Sequence, residues 1–152
     1  MSRARATKVL RFVWSHPANR SRKGRAIVRL LAWQMWERTT GRPWTIGLQG
    51  MRLRCYPHSA GATGVLYCQL PEWHDMRFLL DFLRPGDLFD VGANVGVYSL
   101  LACTVAGTQV VAFEPGRLAY ERLHENIALN SLTQRVRTVM AAAGDGLDKE
   151  DG

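Results

Sequence analysis

The chain has 152 residues, enough for one domain with attachments, and its 47% hydrophobic content excludes a disordered polymer. The net charge of +7 is uneven: residues 1–54 hold 13 Lys or Arg and one acid, Glu37, while residues 55–152 hold seven bases and 12 acids. No apolar stretch reaches the roughly 18 residues of a membrane span, and Val9–Trp14 is too short for a signal-peptide core, so a cytoplasmic location is expected.

In chain order, Arg3, Arg5, Lys8 and Arg11 alternate with Val9, Leu10, Phe12, Val13 and Trp14, and a basic run, Arg20 to Arg29, leads into an apolar helical pattern, Ile27 to Trp36. A basic amphipathic helix with tryptophans suits an anionic membrane surface or an acidic partner. The favoured expectation is the plainer one, that Ile27, Leu30, Leu31 and Met35 form a helical stripe packed on the domain that follows, with the arginines merely solvated. Sequence-independent phosphate contacts would also use such an arginine cluster. The cluster lacks the interleaved aromatics and glycines of an RNA-binding module, which ranks nucleic acid below a small molecule or glycan as partner.

Trp44 to Leu48 and Met51 to Tyr56 flank Gln49-Gly50 in an alternation that predicts a hairpin. Pro57 to Gly64 reads as a loop. A helix is predicted over 71–83, with Trp73, Met76, Phe78, Leu79 and Phe82 as its apolar face, and Pro85-Gly86 ends it. Glu72, His74 and Asp75 stand at its start, where acids also favour a helix N-terminus for electrostatic reasons alone. Cys55, Cys68 and Cys103 have no metal-like spacing, and an odd number leaves one unpaired, so reduced structural thiols are expected.

The chemistry is concentrated further on. Residues 88–91 form a short apolar run that stops at a Gly-rich bend and opens onto an amphipathic segment over 95–106, and a second apolar run, 109–113, ends at Glu114-Pro115 before a helical pattern over 117–130. With a third strand at about 136–141, the expectation is a parallel sheet in order 3-2-1, numbering the strands along the chain, with right-handed crossovers. Ligands in such sheets sit at the carboxyl ends of the strands, where Asp90 to Gly96 and Glu114 fall.

Gly92 and Gly96 allow sharp turning and close approach of a ligand to the backbone, and Asn94 between them tolerates left-handed conformations. The helix start offers free N–H groups to a carboxylate. Glu114 is placed to accept ribose hydroxyls, and Asp90 to hold the loop amides or a ligand ammonium. A dinucleotide fingerprint wants G-x-G-x-x-G, whereas this loop reads G-x-N-x-G, so a zwitterionic nucleoside such as S-adenosylmethionine (SAM) fits better.

Asp90-Val-Gly-Ala-Asn-Val-Gly, Tyr98-Ser99, Phe113-Glu-Pro and Leu123-x-x-Asn126-Ile127-x-Leu129-Asn130 together resemble the FkbM family of SAM-dependent methyltransferases over roughly residues 84–146. The resemblance implies a class I, Rossmann-like methyltransferase fold and methylation of an oxygen on a small molecule, a glycan or a lipid-linked sugar. It assigns Asp90, Gly92, Asn94 and Gly96 to the methionine side of the cofactor and Glu114 to its ribose. Ala142 to Asp145 would lie near the adenine. Family members often carry an acid near Glu72, which with His74 supplies the candidate catalytic groups; no metal is implied.

The implied organisation is a basic helical region over 1–43, a hairpin with a lead-in helix over 44–83, and part of a SAM-binding domain over 84–152. Family members continue for several more strands, so the expectation is a fragment with doubtful activity, whose first parallel strand is an open edge prone to self-association. A non-catalytic module that binds SAM or a protein partner is the alternative.

Overall fold

The basic front of the chain folds as two helices, α1 (Arg3–Ser15) and α2 (Lys23–Thr40), in a computed structural model that describes residues 3–57 and 59–144. They belong to a compact unit that runs to Arg84, and a second unit begins at Pro85. Buried polar side chains fix the turn between the helices. Asn19 donates through Nδ2 to the carbonyls of Val13, at 3.0 Å, and Tyr67, at 3.3 Å. His16 accepts the Ala18 amide at Nδ1, which leaves the proton on Nε2 for the Pro71 carbonyl 3.0 Å away.

The buried face of α2 is Ala26, Leu30 and Trp33, an i, i+4, i+7 stripe. This corrects the stripe expected from sequence. Leu30 is buried as predicted and Ile27 half-buried, but Leu31 and Met35 face solvent. Trp33 is large enough to turn the helix, burying its own side at the expense of theirs, and its ring lies 6.3 Å from that of Trp44.

The hairpin follows as predicted. Strands β1 (Trp44–Leu48) and β2 (Met51–Cys55) pair antiparallel, Trp44 opposite Cys55, through a two-residue turn in which Gln49 and Gly50 both have positive φ. The segment expected as a loop instead enters helix α3 (Ala60–Cys68). Its glycines disfavour a helix, but Ala62, Val65, Leu66, Tyr67 and Cys68 are all buried, and burial on that scale overrides propensity. Gly64 is needed there, since a Cβ would stand 2.9 Å from the Cβ of Pro71.

Helix α4 (Trp73–Phe82) forms where predicted but turns a narrower face inward. Met76 is buried, whereas Phe78 and Phe82 are exposed and pack on each other with ring centres 4.8 Å apart. Residues two apart stand roughly 200° apart around a helix, so Met76 and Phe78 never shared one face. Cys55, Cys68 and Cys103 are free, buried thiols, and burial pushes Cys55 up to about 12 and Cys68 up to about 11, so both stay protonated.

In the second unit, among the described residues, strands β3 (Asp87–Val91), β4 (Gln109–Phe113) and β5 (Val136–Val139) form a parallel sheet in the order β3-β4-β5. The register sets Asp90 beside Ala112 and Val110 beside Val136. Helix α5 (Val97–Ala102) follows β3, and helix α6 (Arg117–Leu129) follows β4. Helix α5 is shorter than the predicted 95–106. The chain leaves it in turns stabilised by Arg135, whose guanidinium donates to the carbonyls of Cys103, Val105 and Thr108. Leu100, Leu101, Val110, Ala112, Leu123, Ile127 and Val136 form the core. On β3, Phe89 and Val91 stay exposed while Asp90 between them points inward.

Candidate cofactor-binding site

Strand β3 delivers its chain into a loop with three left-handed residues in five: Gly92 at φ +79, Asn94 at +51 and Gly96 at +89. The two glycines serve different ends. A Cβ on Gly92 would meet no atom within 4 Å, so this residue presents bare backbone to open space. A Cβ on Gly96 would stand 2.6 Å from Cδ1 of Leu123, so Gly96 lets α6 pack against the start of α5.

Three anchors hold the loop. The carbonyl of Phe113, at the end of β4, accepts the amides of Gly92 and Ala93, each at 2.9 Å. Glu114 accepts the Asn94 amide at Oε2 and the Gly116 amide at Oε1, both at 2.8 Å. Asn126, fully buried on α6, donates through Nδ2 to the Val95 carbonyl at 2.9 Å. The loop is thus preorganised by the neighbouring strand and helix.

Two buried carboxylates flank the loop at the carboxyl ends of adjacent strands, Asp90 on β3 and Glu114 after β4. Asp90 Oδ2 accepts the hydroxyl of Ser99 at 2.5 Å. Burial pushes the Asp90 carboxyl up, the hydroxyl and amide of Ser99 pull it partly back, and the negative charge of Glu114 raises it again. A carboxylate has about four lone-pair sites, so both acids keep acceptor capacity beyond the loop bonds just described.

Because the folded pKa of Asp90 lies above the unfolded one, its contribution is most favourable below the unfolded pKa and is lost as pH rises through the folded value. At neutral pH the ionised group is a net cost. Asp90→Asn is therefore expected to raise the thermal midpoint at pH 7. Near pH 3 the variant and wild type should converge. Circular dichroism melts at the two pH values check this, and a variant less stable at pH 7 would mean that the Ser99 bonds outweigh burial.

Asp90, Gly92, Asn94, Gly96 and Glu114 come together in the second unit. Glu72 and His74 belong to the first, exposed at the start of α4. Asp145 lies outside the described residues. Sequence reasoning gave no role to Ser99 or Asn126. Both are fully buried polar side chains, and an asparagine inside a helical pattern, a poor helix former, is the signal that marks a required partner.

No family model matches the chain, and no curated protein does. Solved structures match: a SAM-dependent methyltransferase of Agrobacterium tumefaciens at 24% identity and TM-score 0.52, over 69% of this chain and 34% of that one. Pyrococcus horikoshii TYW2, in complex with MeSAdo, matches at 17% and 0.54, over 68% and 37%. A Pyrococcus abyssi tRNA (uracil-54, C5)-methyltransferase, in complex with S-adenosyl-L-homocysteine, matches at 17% and 0.54, over 73% and 26%. The chain spans about a third of the length of the first two and about a quarter of the third. It has the α/β, Rossmann-like fold of the class I methyltransferases, over part of that fold.

Proposed function

We propose that the chain carries the SAM-binding part of a methyltransferase of the FkbM type, with an oxygen of a small molecule, a glycan or a lipid-linked sugar as acceptor. The observation that supports it most is the bare Gly92 backbone between two buried carboxylates at adjacent strand ends. In this reading Asp90, Gly92, Asn94 and Gly96 shape the methionine side and Glu114 accepts ribose hydroxyls with its remaining lone pairs. Residues 84–152 are the cofactor part, 44–83 its hairpin and lead-in helix, and 1–43 a basic attachment.

Bound SAM supplies an electrophilic methyl group. The chain's own residues contribute position, since a displacement at carbon depends on alignment of nucleophile, carbon and leaving group. Glu72 and His74 are the candidates for taking the acceptor proton, a role that needs hydrogen-bond reach to that proton.

Isothermal calorimetry of the full chain with S-adenosylhomocysteine and, separately, NAD tests the reading. Saturable binding of the first and none of the second is expected. The reverse preference would overturn it. A second reading, a partner-binding module, draws on the exposed Phe89 and Val91 of β3, because parallel sheets are ordinarily covered on both faces.

A further inference from the structure

Helix α2 is apolar on two opposite sides. One, Ala26, Leu30 and Trp33, is buried, and the other, Val28, Leu31 and Met35, is 65, 60 and 66% exposed. A helix whose outer side meets only water is polar there. Arg25 and Arg38 fall on either flank of the exposed stripe by helical spacing, and both are exposed. The one acid of residues 1–54, Glu37, falls toward the buried side.

At the N-terminal end of the stripe a pocket of about 490 Å³ is lined by Arg22, Gly24, Arg25, Val28 and Arg29. Arg29 is held in place by its bonds to the Tyr67 carbonyl, 3.2 Å, and to Oδ1 of Asn19, 3.5 Å. On α1, Trp14 is 56% exposed with the ammonium of Lys23, the first residue of α2, 4.9 Å from its ring centre, an amphipathic pair suited to a headgroup layer.

We propose that α2 lies flat on an anionic phospholipid surface, with Val28, Leu31 and Met35 entering the acyl boundary and a lipid phosphate seated in the Arg22-Arg25-Arg29 pocket. Charge complementarity selects this occupant: residues 1–54 carry 13 bases and one acid, and the apolar stripe of α2 is flanked by Arg25 and Arg38, which together match an acidic bilayer. A nucleic-acid backbone would use the arginines and leave the apolar stripe in water.

The test is flotation of the full chain with phosphatidylcholine vesicles, pure or containing about one third phosphatidylserine. Binding to the acidic vesicles alone is expected. Arg22→Gln and Arg25→Gln should each weaken it about five-fold, and Leu31→Ser with Met35→Ser at least ten-fold. These side chains are exposed, so the variants keep the wild-type melting curve. No binding to acidic vesicles overturns the proposal, as does equal binding to both compositions. Binding unaffected by the Leu31 and Met35 changes would point to a polyanion such as RNA. A change in sedimentation mass of the lipid-free variant, with vesicle binding intact, would point to a second copy on this face; either result overturns the proposal too.

Discussion

Glu114→Ala is expected to lower the affinity for S-adenosylhomocysteine by roughly 10- to 100-fold, the range of one lost charge-assisted hydrogen bond and more. Two losses combine. The ribose hydroxyls lose their acceptor in the proposed site, and the amides of Asn94 and Gly116, now held at 2.8 Å, lose theirs. The second loss loosens the loop before any ligand arrives, so the alanine variant alone conflates recognition with preorganisation.

Glu114→Gln separates them. A glutamine oxygen still accepts one amide, but its NH2 group cannot accept the other, so the loop is half-retained and the charge is gone. With an analogue lacking the ribose 2′-hydroxyl, wild type and Glu114→Gln should differ less than with the full ligand, because the lost interaction is no longer there to lose. Calorimetry measures all four combinations. Unchanged affinity in both variants, or an equal gap for both ligands, would remove Glu114 from the ribose and leave it a loop clamp.

The parallel unit was legible in the sequence because its first two strands are bounded by strong local punctuation. Pro85-Gly86 precedes β3, Gly92 to Gly96 closes it, and Glu114-Pro115 closes β4. The first unit was less legible because its decisive forces are tertiary. Helix α3 contains Gly61 and Gly64 and reads as a loop until its burial is seen, and α2 offers two apolar stripes between which periodicity cannot choose. Packing of Trp33 chose. In the site, sequence located Asp90 and Glu114, but the partners that orient them, Ser99 nine residues away and the Asn94 and Gly116 amides, depend on a turn geometry that residue spacing does not specify.

Gly92→Val should abolish detectable cofactor binding, at least 100-fold, while leaving a folded protein. A Cβ there meets no atom within 4 Å beyond its chain neighbours, so the main cost to folding is the φ of +79, of order 1–3 kcal/mol. The branched side chain does fill the space in front of the bare backbone, where the proposed ligand must approach. Controls follow from the same geometry. Gly96→Ala collides with Leu123, which predicts a folding defect first. Gly107→Ala, a natural choice by sequence for a harmless change, is not neutral: its φ is +82 and its Cβ would stand 3.3 Å from the Cβ of Pro85. Gly24→Ala on α2, with ordinary φ and nothing within 4 Å, is the neutral comparison and should stabilise by about 0.5 kcal/mol. Binding measured below each variant's melting transition distinguishes the cases. If Gly92→Val binds as well as Gly24→Ala does, the ligand does not pass over this loop and the cofactor site lies elsewhere on the sheet.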